Sequence, residues 1–262
     1  MSSNIEVPPE VENADDKEAN TTHQGARWSA HLACAFLSSE HDVMPRTYDE
    51  LLSDDPAWPE LAKAAASAPN GAVTLAPVSD EQRRACLEAL QMTTRSTLGA
   101  LGHETGGVLV DHGFVRHLGS GCPRLPRRLC DWNAELGIDL ARFVIVADDL
   151  VGGVFAVDGK ELGDQPGRVH YFAPDALEWE DTELFHSAFV AWTFEGDLDD
   201  FYGAMRWPGW EQDASAIMGD QTFSMVPPLW TKPDLPMGKR VRRAVPAKDV
   251  WQLQEKFAKS AK

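Results

Sequence analysis

No stretch of this 262-residue sequence approaches the ~20 consecutive apolar residues that a membrane-crossing helix requires. The first residues, MSSNIEVPPEVENADDKEAN, lack both the basic start and the apolar core of a secretory signal. A cytoplasmic protein without a membrane partner is therefore expected. Cysteine is scarce. The four are Cys34, Cys86, Cys122 and Cys130, with no C-x-x-C pair and no histidine at finger spacing, which argues against a structural zinc site. Free buried thiols are the expectation. Cys122 and Cys130 are near in sequence, but spacing alone does not make a bridge.

The usual catalytic signatures are missing too. His103-Glu104 has no second histidine to complete H-E-x-x-H, and no G-x-S-x-G elbow or phosphate-binding P-loop is present. Gly99, Gly102, Gly106 and Gly107 do not fit G-x-G-x-x-G and precede a strand instead of following one. His112 and His117 are five apart, which puts them on opposite faces of a regular strand. No cofactor and no metal site is expected, and the sequence has no internal repeat.

What the chain does have is acid. Its formal net charge is −17, unevenly spread: Asp131 to Thr231 carries 20 acids and 4 bases, whereas Lys232 to Lys262 carries 9 bases and 3 acids. A field of that sign repels nucleic acid and anionic lipid and steers basic ligands inward. Plain solubility explains the same charge. The short basic run GKRVRR is too small for a nucleic-acid surface and reads as a clasp against the acidic face or as a solvated loop.

Residues 1–25 combine six acids, one lysine and two adjacent prolines with almost no large apolar residue, the composition of a disordered acidic tail. Residues 26–45 contain WSAHLACAFL, a short apolar segment or linker. Residues 46–262 read as a single α+β domain with a C-terminal helix. Two helical pieces separated by Pro56 and Pro59 come first. A helix capped at Ser79 with Gln82 three residues on follows, then a helix through STLGALGHE. The period then changes. GGVLVDHG and FVRHL form a hairpin turning at Asp111-His112-Gly113, and RFVIVADD, GGVFAVDG and GRVHYFAPD are three further strands at meander spacing. LFHSAFVAWTFEG returns to helix with Phe185, Phe189 and Trp192 on one face, and Asp197 caps a short successor. Residues 208–245 read as loop, and a final helix begins near Pro246 with Trp251 and Phe257 as anchors. The fold class is α+β, a mostly antiparallel or mixed sheet flanked by helices.

Several phrases, in order, carry a resemblance: TTRSTLGALGHETGGVLVDHGFVRHLGSG, DWN, DDLVGGVFAVDG, GRVHYFAPDALEWE, FVAW, RWPGW and VWQLQEKFA. From about Tyr48 to Ala258 the chain resembles the domain-of-unknown-function 2625 family, a resemblance that implies no reaction. The block around Gly152, Gly153, Val169, Tyr171, Trp179 and Phe189 also resembles the core of the SUKH superfamily, which includes Smi1/Knr4-like domains and immunity proteins of bacterial toxin systems. That second likeness implies a SUKH-like sheet with helices around it and a groove used to bind protein. Fold analogy transfers no function by itself.

Three groups of residues are candidate binding positions. Asp148 and Asp149 end the strand RFVIVA, placed to hold a cation or a basic side chain, or to decorate a solvated turn. Glu178, Trp179 and Glu180 put an aromatic plate between two acids, suited to a groove, although Trp179 also suits a core. Trp207 and Trp210 flank a Pro-Gly turn, as a rigid aromatic patch or as a plug at the edge of the core. Two functions compete. One is a protein-binding module, of immunity or adapter type, whose acidic face captures a basic, toxin-like partner. The other is an enzyme or small-ligand or metal binder using Asp148, Asp149 and nearby tryptophans. Self-association into a homo-oligomer is a third reading.

Overall fold

A computed structural model describes residues 44–231 and 235–260, so the expected acidic tail and nearly all of the apolar segment lie outside the described residues. The α+β expectation holds. Seven strands follow one another across one antiparallel sheet in chain order. They are β1 (Ala72–Leu75), β2 (Gly107–Val110), β3 (Val115–Leu118), β4 (Phe143–Asp149), β5 (Val154–Asp158), β6 (Arg168–Ala173) and β7 (Glu178–Phe185). A separate two-stranded sheet pairs β8 (Gln221–Val226) with β9 (Val241–Pro246).

The helices before β4 are α1 (Tyr48–Leu51), α2 (Trp58–Ala66), α3 (Asp80–Leu90), α4 (Thr97–Glu104) and α5 (Leu129–Glu135). Those after β7 are α6 (His186–Glu195), α7 (Leu198–Tyr202), α8 (Trp210–Ala216) and α9 (Ala247–Ser260). Local chemistry sets their ends as expected. Ser79 accepts from the Gln82 amide at 3.3 Å at the start of α3, and Asp197 accepts from the Asp200 amide at 2.8 Å at the start of α7.

Several segments depart from the sequence reading, among them β1 and α5, which form where it assigned no element. EWEDTELF forms β7, an edge strand whose exposed acids discourage further pairing, and α6 begins only at His186. Phe185 therefore belongs to the strand and not to the helix face. Residues 208–245, expected as loop, contain α8, β8 and most of β9. Within GKRVRR, Arg240 is buried and donates to the carbonyls of Pro227 and Pro228, which secures the connection between β8 and β9.

Both faces of the sheet are covered, and successive residues of each strand serve opposite faces. On one face Tyr171 stacks on Phe155 at 4.6 Å, and Phe189 of α6 packs on Phe155 at 4.7 Å. On the other, Phe172 meets Trp251 of α9 edge-on at 5.3 Å. Burying side chains of this size contributes ~1.5–3 kcal/mol each and fixes the strand register, because a slip of one residue would exchange the two faces.

Candidate functional site

Asp148 and Asp149 lie inside β4, not in a solvated turn, and both are buried. Being consecutive on a strand, they serve opposite faces and do not act as a pair. Asp148 is filled by two guanidinium groups. Arg116 grips it through Nε at 2.9 Å and Nη2 at 2.7 Å, and Arg127 through Nη2 at 3.0 Å and Nη1 at 2.7 Å. Both arginines also reach the chain leading into β8: Arg116 donates to the Gln221 carbonyl at 2.5 Å and Arg127 to the Gly219 carbonyl at 2.6 Å. Burial pulls the Arg116 pKa down, and the Asp148 charge opposes that pull. The cluster joins the large sheet to the small one.

Asp149 has a different set of partners. Its Oδ2 accepts from the phenols of Tyr171 at 2.8 Å and Tyr202 at 3.3 Å, while Oδ1 accepts from the amides of Val151 at 3.0 Å and Gly153 at 2.8 Å. Desolvation pushes its carboxyl up to about 6 against these hydrogen bonds. The same network explains Gly153, while Gly152 is required by its own backbone and by Gln254 and Val250 of α9, which a Cβ would approach to 2.8 and 2.9 Å. Gly152 adopts φ +94°, and a Cβ at Gly153 would lie 2.3 Å from the Tyr171 hydroxyl and 2.4 Å from Asp149 Oδ2.

Trp207 and Trp210 flank a core plug. Trp207 is 2% exposed, donates from its indole to Asp213 at 2.7 Å and lies under the Arg242 guanidinium at 4.8 Å. Trp210 is half-buried, edge-on to Phe114 at 5.3 Å and covered by Arg206 at 4.2 Å. Neither forms an open aromatic patch.

The remaining candidates lead to a groove. Trp179 and Glu178 line an open cleft of about 630 Å³ between the sheet, the 136–143 segment, the loop after β5 and the last turns of α9. Phe143, Phe172, Trp179 and Trp251 supply its aromatic wall. Trp179 is edge-on to Phe143 at 5.6 Å and to Phe172 at 5.3 Å, and 6.1 Å from Trp251. Four carboxylates line it, those of Asp139, Glu161, Glu178 and Glu255. Arg142 pairs with Glu161, and Lys259 pairs with Glu255 at 2.8 Å. Among the described residues, neither Asp139 nor Glu178 takes part in an ion pair. Glu180 is exposed on β7 opposite Tyr171 but does not line the cleft.

Sequence reasoning reached Trp179 and Glu178 and read Trp251 only as an anchor. It missed Phe143, Phe172 and Asp139. For Phe172 the alternation in RVHYFA was a usable signal, since it separates His170 and Phe172 from Val169 and Tyr171. Among the described residues, no group of three or more His, Cys, Asp or Glu side chains could hold a metal ion, and no helix is long and apolar enough to cross a membrane.

Comparison with known proteins places this chain in a family. The chain is 37% identical over 202 residues to the putative uncharacterized protein YbfG of Escherichia coli K12, covering 77% of this chain and 92% of that protein. It is 35% identical over 190 residues to an uncharacterized protein of Haemophilus influenzae Rd, covering 70% and 82% respectively. No solved structure matches it. Residues 49–250 match the family described as protein of unknown function DUF2625, and the chain belongs to that family.

Proposed function

We propose that the protein is a binding module of adapter or immunity type and that its groove receives a basic segment of a protein partner. The observation that carries this reading is the aromatic wall of the groove combined with carboxylates at its edge, two of them outside any ion pair among the described residues. A lysine or arginine side chain suits such a cleft. Its aliphatic stem packs on the rings, its charge lies over an indole face, and a carboxylate completes the contact. The acid-rich segment from Asp131 to Thr231 supports the same sign of partner by steering cations toward this side of the chain. The SUKH resemblance agrees with a protein-binding groove and with an immunity-type role.

The metal or small-ligand alternative at Asp148 and Asp149 loses its support. A cation would have to displace two buried guanidinium groups from Asp148, or four hydrogen bonds from Asp149. The groove reading is tested by tryptophan fluorescence with a lysine-rich peptide and a glutamate-rich control of equal length at low salt. The lysine peptide should perturb emission saturably, bind more weakly as salt rises, and bind at least ten-fold more weakly to Trp179→Ala. Equal response to both peptides, or unchanged affinity in the variant, would sink the proposal.

A further inference from the structure

Two thiols that the sequence separates by 44 positions meet between α3 and α5. Cys86 is buried in α3, and Cys130, half-buried in α5, points its sulfur at the Cys86 carbonyl at 3.6 Å. The Cys130 side chain also contacts the Cys86 thiol, the largest of the influences that raise the pKa of Cys86 well above its ordinary value. The Cys86 sulfur occupies the space left by a missing side chain on α4: a Cβ on Gly102 would stand 3.1 Å from it and 3.9 Å from Leu129 beside Cys130. Packing thus confines Cys86 to the seam where Cys130 lies. Cys122 is not part of this pair, and its sulfur accepts instead from the Leu125 amide at 3.4 Å.

We propose that Cys86 and Cys130 form a redox-active pair that closes to a disulfide when a peroxide oxidises Cys130. Cys130 is the more exposed thiol and is the one an oxidant reaches. Attack of its sulfur on hydrogen peroxide breaks the O–O bond, gives a sulfenic acid at Cys130 and releases one water. The Cys86 sulfur then attacks the Cys130 sulfur. The S–O bond breaks, the Cys86 proton leaves with the hydroxyl as a second water, and the S–S bond forms. Two electrons pass from the two thiols to the peroxide. The bond ties α3 to α5, whose chain continues directly into Leu136, Gly137 and Ile138 of the groove wall. This inference is independent of what the groove binds.

The test uses the full chain with Cys34→Ser, reduced, treated with near-stoichiometric hydrogen peroxide, alkylated under denaturing conditions and mapped by peptide mass. The expected product is a Cys86–Cys130 cross-linked peptide that has lost two hydrogens and returns to two alkylated thiols on reduction, with Cys122 alkylated throughout. In Cys86→Ser, Cys130 should stall as a sulfenic acid that dimedone traps. Recovery of both thiols alkylated after treatment, or Cys130 progressing to sulfinic acid in the parent chain without a cross-link, overturns the proposal. So does a predominant bridge through Cys122.

Discussion

The carboxylates near the end of β4 and two of those around the groove, Asp139 and Glu178, come from the same acid-rich stretch but do opposite things. Asp148 and Asp149 have their lone pairs filled by arginines, phenols and amides of their own chain. Glu178 is exposed on an edge strand and Asp139 on a loop beside a cleft. Acid content by itself therefore does not mark a binding face. The number of internal donors converging on a carboxylate separates a structural acid from an available one.

The largest expected effect comes from breaking the internal set. Asp148→Asn removes the charge that two buried guanidinium groups share, and loss of one member of such a cluster typically costs about 3–5 kcal/mol. Urea denaturation should show a lower midpoint by an amount of that order, while any folded fraction keeps its affinity for the lysine-rich peptide. A midpoint within experimental error of the parent would mean that water satisfies the arginines as well as Asp148 does.

A smaller and graded effect is expected from acid. His117 and His186 are buried, and desolvation lowers them from 6.5 to about 4 and about 3. Below 6.5 the unfolded chain takes up protons there that the folded chain refuses. The stability these groups contribute is thus complete above pH 6.5 and is lost as pH falls toward 4 and 3. Asp149 works the other way. Its folded value of about 6 exceeds 3.8, so its contribution is complete below 3.8 and is lost as pH rises through 6. The two histidines together are displaced further from their ordinary values than Asp149 is. A tenfold difference in proton affinity between the folded and unfolded chain is worth about 1.4 kcal/mol, so the histidines outweigh the carboxyl. Thermal midpoints should fall as pH drops below 6.5, and His117→Gln should flatten that fall. A midpoint that rises steadily down to pH 4 would contradict the balance.

These two regions were not equally legible in the sequence. The strands from β2 to β6 were, because Asp111-His112-Gly113, Asp158-Gly159 and Pro166-Gly167 punctuate apolar runs of strand length. β7 was hidden because an edge strand carries charge, so EWEDTELF has little apolar alternation to show. β8 was hidden among prolines. For Asp148 and Asp149 the strand position was readable but burial was not, since Arg116 and Arg127 arrive from 32 and 21 residues away and Tyr202 from 53. No local pattern announces a partner at that distance. The groove was half visible: Trp179 between two acids suggested it, but the rest of its aromatic wall comes from Phe143, in another strand, and Trp251, in the last helix.

The smallest expected effect on stability completes the comparison. Glu178→Gln alters an exposed side chain that no described ion pair includes, so its unfolding midpoint should stay within about 0.5 kcal/mol of the parent. Its effect on binding should be out of proportion to that. The glutamate supplies one of the two carboxylates that the lining leaves without an ion pair, so affinity for the lysine-rich peptide should drop several-fold, and the salt dependence of binding should become shallower. Glu180→Gln, one strand position from Trp179 but outside the cleft lining, is the matched control and should leave affinity nearly unchanged. Equal losses in the two variants would assign the peptide's attraction to the overall field of the acidic segment, and the groove would then have no special claim on the cation.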